Sequence, residues 1–511
     1  MVGQESLSLS KSSNSRRTVY LEASINYART FGRHSVGALF LYQHSQKNYV
    51  TSSETDPDKF LPYRNQGIAG RVTYDYANRY FVEANFGYNG SENFSPGNRF
   101  GFFPSVAVGW AISNEEFFEK AKNVIDLLKF KASYGLVGND QIGGGRRFIY
   151  LETIENGYDY YFGSSNTKYT GIRLGDYPNP NVGWETVRKL NVGVDMSFFG
   201  KAKVQVDYFD EDRSGIFLHS SSIPEIAGLV NKPWINVGKM HNRGIDASLD
   251  YHQKIGQVDL TARANFTYAH NTILDNDQPE WEYAYQNRIG QSNWQTFGLV
   301  ADGLFQSQEE IDAWPTQKFG EVKPGDIRYI DINGDGVVDD YDKKPIGFPD
   351  VPEISYGFGA SVRWKGFDVS IFFQGIDNVN FFINNSYTQP FIANKTRHSN
   401  VFADLYGNYW TEDNRDAKYP RLTIGSNTNN NQASTFWMVD GRYIRLKNAE
   451  IGYTLPKRIT NRAHIDRLRI YVSGVNLLTF SPFKLWDPDL QTGAAGYPNN
   501  RVYNIGATLV F

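Results

Sequence analysis

The sequence predicts an all-β protein, an antiparallel transmembrane β-barrel with long extracellular loops. Three observations carry this: residue patterning of period two almost throughout, short turns alternating with long polar connections, and a chain rich in rings but poor in aliphatics. The 10 Trp, 33 Tyr and 35 Phe make up 15% of 511 residues, while the whole hydrophobic class reaches only 40%. A globular domain carries about 45–50% apolar residues. A one-sided apolar surface rimmed by rings fits this balance better than a thick dry core.

The alternation is explicit. Val258, Leu260, Ala262, Ala264, Phe266 and Tyr268 interleave with Gln257, Asp259, Thr261, Arg263, Asn265 and Thr267, which places one set on each face of a strand. Ile245, Ala247, Leu249 and Tyr251 alternate likewise, and the Lys254-Ile255-Gly256 turn joins the two runs as a hairpin. The same pattern pairs 191–198 with 203–208, 356–364 with 367–373, and 72–76 with 80–88. Near the start, Val19 to Tyr27 turn through Gly32-Arg33 into Val36 to Tyr42. Short turns near 31–34, 77–79, 113–125, 199–202, 253–256, 364–366 and 455–466 give seven hairpins, and 501–511 adds a last strand, so about 15 are expected. The segment 292–305 leaves that count open by one or two.

Local irregularities are also readable. A phase change between Leu446 and Ala449 predicts a bulge at Lys447-Asn448. Segment 113–125 reads as one or two helical turns with Ser113 as cap and an acidic first turn. The connections 46–66, 90–100, 138–183, 213–235, 272–352, 377–436 and 479–499 are rich in Asn, Gly, Asp, Ser and Tyr. Short turns on one side and long loops on the other mark a membrane barrel, whose strands face lipid with one side and a wet lumen with the other.

Other classes are excluded or weakened. The near-balance of 52 basic and 55 acidic residues argues against a nucleic-acid platform. With no cysteine there is no disulfide, thiolate metal site or Cys nucleophile. No stretch approaches the ~18–20 consecutive apolar residues of a membrane helix. The N-terminus lacks the basic and apolar regions of a secretory signal. Single-chain bacterial barrels are even-stranded, so an odd count suggests that strands are missing.

Several blocks resemble the C-terminal half of SusC/RagA-type, TonB-linked outer-membrane transporters. They are Leu-Pro-Tyr-Arg-Asn-Gln-Gly at 61–67, Gly-Arg-Val-Thr-Tyr at 70–74, Asn-Phe-Gly-Tyr-Asn-Gly-Ser-Glu-Asn-Phe at 85–94 and Arg-Phe-Gly-Phe-Phe-Pro-Ser at 99–105. Further along come Ala-Ser-Tyr-Gly-Leu-Val-Gly-Asn-Asp at 132–140, Asn-Pro-Asn-Val-Gly-Trp-Glu at 179–185, Asn-Arg-Gly-Ile-Asp at 242–246 and Asp-Ile-Asn-Gly-Asp-Gly at 331–336. Arg-Tyr-Ile-Arg-Leu-Lys-Asn at 442–448 and the terminal Phe511 complete the set, which spans the chain in family order. The resemblance implies a 22-stranded barrel, of which residues 1–511 would be about the last 15 strands. Plug, TonB box and signal peptide would then lie outside the chain. It also implies the cell outer membrane, uptake of a glycan or peptide nutrient, a SusD-like surface lipoprotein, and TonB acting through the missing N-terminal part.

The sharpest local motif lies in the 272–352 loop. Asp331, Asn333, Asp335, Val337, Asp339 and Asp342 occupy positions 1, 3, 5, 7, 9 and 12 of a calcium loop, with Gly336 at position 6. Hard oxygens on one tight loop suit Ca²⁺, here as a structural ion, although Asp342 reaches less far than the usual Glu. An acidic solvated turn is the alternative. Loop rings at Trp281, Tyr283, Tyr285, Trp294 and Trp314, and at Tyr158, Tyr160, Tyr161 and Phe162, suit sugar stacking; they equally suit loop-to-loop packing or an interfacial girdle. The eight histidines form no HExxH pair, and Gly143-Gly144-Gly145-Arg146-Arg147 lacks the Lys-Ser/Thr of a phosphate loop. No enzyme is therefore expected. A passive porin-like barrel and a secreted β-rich glycan-binding protein are the competing readings.

Overall fold

A computed structural model describes residues 13–51, 61–142, 147–229, 231–385, 388–391, 401–492 and 496–511. One antiparallel sheet of 15 strands runs through them in chain order. Its strands are β1 (Asn14–Phe31), β2 (His34–Thr51), β3 (Tyr63–Tyr76), β4 (Tyr80–Ser91), β5 (Phe100–Ala111) and β6 (Ile125–Asn139). They continue with β7 (Glu185–Phe198), β8 (Ala202–His219), β9 (Trp234–Ile255), β10 (Val258–Asp275) and β11 (Ile354–Trp364). The last four are β12 (Phe367–Asp377), β13 (Tyr443–Thr454), β14 (Arg467–Phe480) and β15 (Val502–Val510). Each strand pairs with its neighbour in sequence, and β15 does not pair with β1.

The expected count of about 15 holds, and the doubt over 292–305 resolves against a further wall strand. Phe297–Gly298 and Ala301–Leu304 pair only within the loop, with Lys344–Pro345 and Ile327–Tyr329. Strands also climb further than the polar composition of their upper ends suggested: β8 runs to His219 and β10 to Asp275. Ladder hydrogen bonds, not side-chain polarity, set where a strand ends. Chemistry at the tight turns matches their geometry. Lys365 and Gly366 both take positive φ, 47° and 90°, as a two-residue hairpin of matching twist requires. A Cβ on Gly366 would lie 2.7 Å from the Thr454 carbonyl oxygen, so glycine is required there twice over.

Register assigns the two faces. On β8, Val204, Val206 and Tyr208 stand beside Met196, Val194 and Val192 of β7 and Leu249, Ala247 and Ile245 of β9. This apolar band continues through Ala264, Phe266 and Tyr268 to Phe358 and Tyr356. Rings border it above at Tyr88, Tyr134, Tyr208 and Tyr268 and below at Tyr80, Trp110, Trp364 and Tyr453, as interfacial girdles do. The opposite face is ionic. Lys131 bridges Asp195 at 2.9 Å and Asp207 at 3.1 Å, Arg71 meets Glu83 at 2.8 Å, and Arg469 pairs with both Asp368 and Glu450. Charges held in pairs along one face suit a wet lumen.

The predicted bulge is present: the register of β13 skips Lys447 against both β12 and β14. Over 113–125 the expected helical turns are two 3-10 segments, Ile112–Asn114 and Glu116–Ala121. The Ser113 cap is not formed. Ser113 lies buried inside the first segment, and the extended residue before the second, Glu115, makes no capping bond. Its carboxylate instead accepts from Arg79 at 3.2 Å and Trp110 Nε1 at 3.0 Å. Ion pairing has outcompeted the cap.

Candidate functional site: the extracellular loop platform

Among the described residues most of the buried apolar side chains gather in the long loops, joined by a few at strand ends such as Phe217 of β8. Phe94, Ile142, Ile149, Val182 and Phe217 form one cluster, with Trp184 and Trp234 against it. It fastens together the loops above β4, β6 and β8. Phe217 stacks on Trp234 at 4.9 Å, and Phe94 meets Trp184 at 5.3 Å. Segment 179–185 ties these loops by polar contacts as well. Asn179 Nδ2 donates to the Trp234 carbonyl at 2.8 Å, and Glu185 accepts from the Phe217 N–H and from Asn139 Nδ2.

A larger cluster joins the loops above β10, β12 and β14. Leu299, Ile327, Tyr329, Val338, Phe381, Leu405, Tyr419 and Trp437 are almost wholly buried in it. At its centre Asp326 is fully buried. Its carboxylate accepts from Arg421 Nη2 at 3.0 Å, Asn427 Nδ2 at 2.9 Å, Asn430 Nδ2 at 2.8 Å and the Lys323 N–H at 2.8 Å. A buried charge persists only when paired and hydrogen-bonded, and Asp326 meets both conditions. The final loop is locked by Arg445, whose guanidinium is 2% exposed and bonds Thr479, Asp487 and Asp489.

The two clusters are themselves linked. Asp277 accepts from the Ser220 hydroxyl at 2.7 Å, the Ser221 N–H at 2.8 Å, the Ser222 N–H at 3.2 Å and the Ser222 hydroxyl at 2.8 Å. Burial opposes ionisation of Asp277, but these donors outweigh it and hold its carboxyl below the usual range. A depressed carboxyl contributes its stability above the ordinary Asp value, about 4, and loses it as pH falls through the lowered value. Acid should therefore release segment 220–229, with faster amide exchange at Ser221 and Ser222 than intrinsic rates explain. Asp277→Ala should reproduce that release at neutral pH, and unchanged exchange in the variant would refute the tie.

The calcium-like loop sits on the larger cluster. Asp331 accepts from the N–H groups of Gly334 at 2.7 Å and Gly336 at 2.9 Å, and Asp335 accepts from Val337 N–H at 2.8 Å. Asn333 Oδ1 accepts from Asp335 N–H, and Asp339 accepts from Tyr341 N–H at 2.9 Å. Asp342, fully buried, closes the loop by accepting from Ile332 at 2.7 Å and Asp339 at 2.8 Å. Gly334 and Gly336 supply positive φ of 76° and 83°. Val337 begins a short parallel pairing with Thr316. Among the described residues, the three His, Asp or Glu side chains whose ligand atoms converge within 4.8 Å lie elsewhere: Asp210, Asp212 and His241. They stand above Tyr208 on the outer wall, where Arg188 also pairs with Asp212.

The loop rings divide by role. Trp314 donates to the Tyr329 carbonyl at 2.8 Å and packs under Arg328, which makes it structural. Tyr283 stacks on Tyr285 at 5.5 Å beside the acidic loop, and Asn333 donates to Tyr283 Oη. Burial, then Asp342, Tyr283, Asp331 and Asp335, push the Tyr285 hydroxyl up to about 12. Trp281 and Trp294 are exposed. Tyr158, Tyr160, Tyr161 and Phe162 are exposed on a separate hairpin, Ile154–Phe162 with Thr167–Leu174. Residues 143–146 of the glycine-rich segment lie outside the described residues, whereas Arg147 clamps the Leu61 and Pro62 carbonyls at 2.7 and 2.9 Å. Asp326 and Asp277 stand in no motif, and Arg445 lies in the block 442–448 without a role that its spacing assigns; in the sequence, the Asn-rich run 427–431 is the sign of a buried polar hub.

Residues 4–477 match the family described as TonB dependent receptor-like, beta-barrel. The chain belongs to that family. Members of this TonB-dependent receptor family reside in the outer membrane, where the apolar band and ring girdles place the sheet. TonB-dependent receptor P3 of Formosa agariphila is 28% identical over 95% of this chain and 52% of its own length. TonB-dependent receptor SusC of Bacteroides thetaiotaomicron is 26% identical over 86% of the chain and 43% of its own length. The barrel of the RagAB peptide transporter shares the fold, with a TM-score of 0.74 at 21% identity over 98% of this chain and 56% of that one. The chain thus spans about half the length of the curated relatives it matches.

Proposed function

We propose that this receptor chain forms the lumen wall and extracellular platform of a TonB-dependent nutrient importer. The observation that carries this reading is the pair of packed loop clusters, fastened to each other by Asp277, at the mouth of an ion-lined wall. A passive pore needs no such rigid mouth; a receptor that captures a large nutrient before opening does. The likeness to SusC and to the RagAB peptide transporter supports an oligosaccharide or peptide as cargo and a SusD-like lipoprotein as the partner on the platform. In this reading the plug and the TonB-contacting segment act within the wall that these residues supply.

Uptake of labelled oligosaccharide and peptide mixtures by cells with and without TonB tests the proposal. Uptake that requires both this protein and TonB is expected. Uptake that requires the protein but continues without TonB would establish the passive-barrel reading instead.

We further propose that Asp331, Asn333, Asp335, Val337, Asp339 and Asp342 hold a structural Ca²⁺. Support comes from the oxygen-only donor set, the two left-handed glycines and the crowded negative charge beside Tyr285. Lys318, 3.3 Å from Asp339, is the competing cation. Chelator should speed proteolysis of the 272–352 loop, and Asp331→Ala with Asp335→Ala should abolish that chelator effect. A chelator effect that survives both substitutions removes the metal.

A further inference from the structure

The short turns of the sheet carry a charge pattern that import does not require. Short turns face the periplasm in such barrels. On the turns joining β7 to β8, β11 to β12 and β13 to β14 stand Lys201, Lys365, Lys457, Arg458 and Arg462, all exposed. Among the described residues none of the five lies within salt-bridge distance of a carboxylate, although Asp466 shares the third turn. The turn joining β5 to β6 behaves differently, because its acids are neutralised: Arg79 meets Glu115 at 3.2 Å and Lys122 meets Glu119 at 2.9 Å.

The unpaired cations also come with exposed apolar side chains. Phe199, at 59% exposure, precedes Lys201; Trp364 and Phe367, at 47% and 50%, flank Lys365; and Ile459, at 57%, follows Arg458. Lys365 lies over the Trp364 ring at 5.2 Å. A solvated rim would be satisfied by the charges alone. Apolar anchors beside cations are instead the pattern of a side chain at a headgroup boundary. Adjacent strands lie about 4.8 Å apart, so the three turns spread over an arc on the order of 30 Å, long enough for several headgroups.

We propose that this rim binds the phosphates of anionic phospholipids in the periplasmic leaflet, with Lys201, Lys365, Lys457, Arg458 and Arg462 as the anion contacts. The Arg458 and Arg462 guanidiniums supply paired donors for phosphate oxygens, and the lysines act as point charges. Phe199, Trp364 and Ile459 fix the depth at which the cations sit. The sheet is thereby seated against one leaflet on its short-turn side.

The test uses protein extracted from outer membranes, delipidated, and placed in bilayers of phosphatidylethanolamine with one-fifth phosphatidylglycerol. Lipids retained on the protein are read by native mass spectrometry. The ratio of phosphatidylglycerol to phosphatidylethanolamine among retained lipids should exceed the bulk ratio by about fivefold or more, because each surface cation is worth about that factor in anionic lipid. Combined Lys201→Gln, Lys365→Gln, Lys457→Gln, Arg458→Gln and Arg462→Gln should abolish the enrichment, while Lys457→Arg with Arg458→Lys should keep it. Should the combined variant fail to insert, wild-type protein in about 0.5 M salt decides, since screening must then remove the preference. Retained lipid of bulk composition, enrichment undiminished by the substitutions, or enrichment that persists at high salt would each overturn the proposal.

Discussion

Val206→Arg should destabilise the protein by about 2–4 kcal/mol, the cost of a cation near the middle of a barrel's lipid face. Val206 stands on β8 between Val194 and Ala247, inside the apolar band and below Tyr208. Its charge cannot reach water without distorting neighbours that are themselves apolar. One strand over, Ser248 faces the lumen opposite Gln205. Ser248→Arg should therefore stay within roughly 0.5 kcal/mol of the parent, as solvated substitutions do. Urea unfolding in lipid measures both. Equal costs would show that the two faces are not distinguished by lipid.

A second large effect is expected in the platform. Asp326→Ala should cost about 3–5 kcal/mol of loop stability, because it removes at once the partner of the half-buried Arg421 guanidinium and the acceptor of several donors in a buried setting. It also leaves the Asn427 and Asn430 amides without their acceptor. The loss should be local. Protease should enter loops 276–353 and 401–442 while the wall strands stay protected, since the sheet's own ladders do not involve Asp326. Intact loops in the variant would show that the cluster is held by apolar packing around Trp437 and Tyr329 without the polar hub.

Much of the wall was legible from sequence because its physics is local. A strand with one face toward lipid and the other toward water must alternate, and Val258 to Tyr268 write that alternation directly. The tight turns announced themselves through Gly32, Gly200, Gly256 and Gly366, and the Lys447 bulge through a broken phase. Strand ends were less legible: β8 and β10 continue through polar residues because neighbouring backbones, invisible to local composition, supply the hydrogen bonds. Ser113 misled for a similar reason, since Glu115 is claimed by Arg79 from another turn.

The platform was barely legible. Its contacts join residues about 100 positions apart, such as Asp326 with Asn430, and no spacing rule connects them. Motif 179–185 was visible as a family resemblance, but only the structure explains it, through Asn179 and Glu185 holding three loops at once. The tight acidic turn at 331–342 was legible as a turn because its Asp and Gly residues lie within 12 consecutive positions.

Alternate residues of one strand face lipid and water while the long loops face outward. A chain without cysteine allows this arrangement to be tested one residue at a time. Single cysteines at Lys203, Val204, Gln205, Val206, Asp207 and Tyr208 of β8 would be labelled in outer membranes with a water-soluble and a lipid-soluble maleimide. A strict period of two is expected, with 203, 205 and 207 reached from water and 204, 206 and 208 from lipid. Uniform labelling from water along the strand would contradict it.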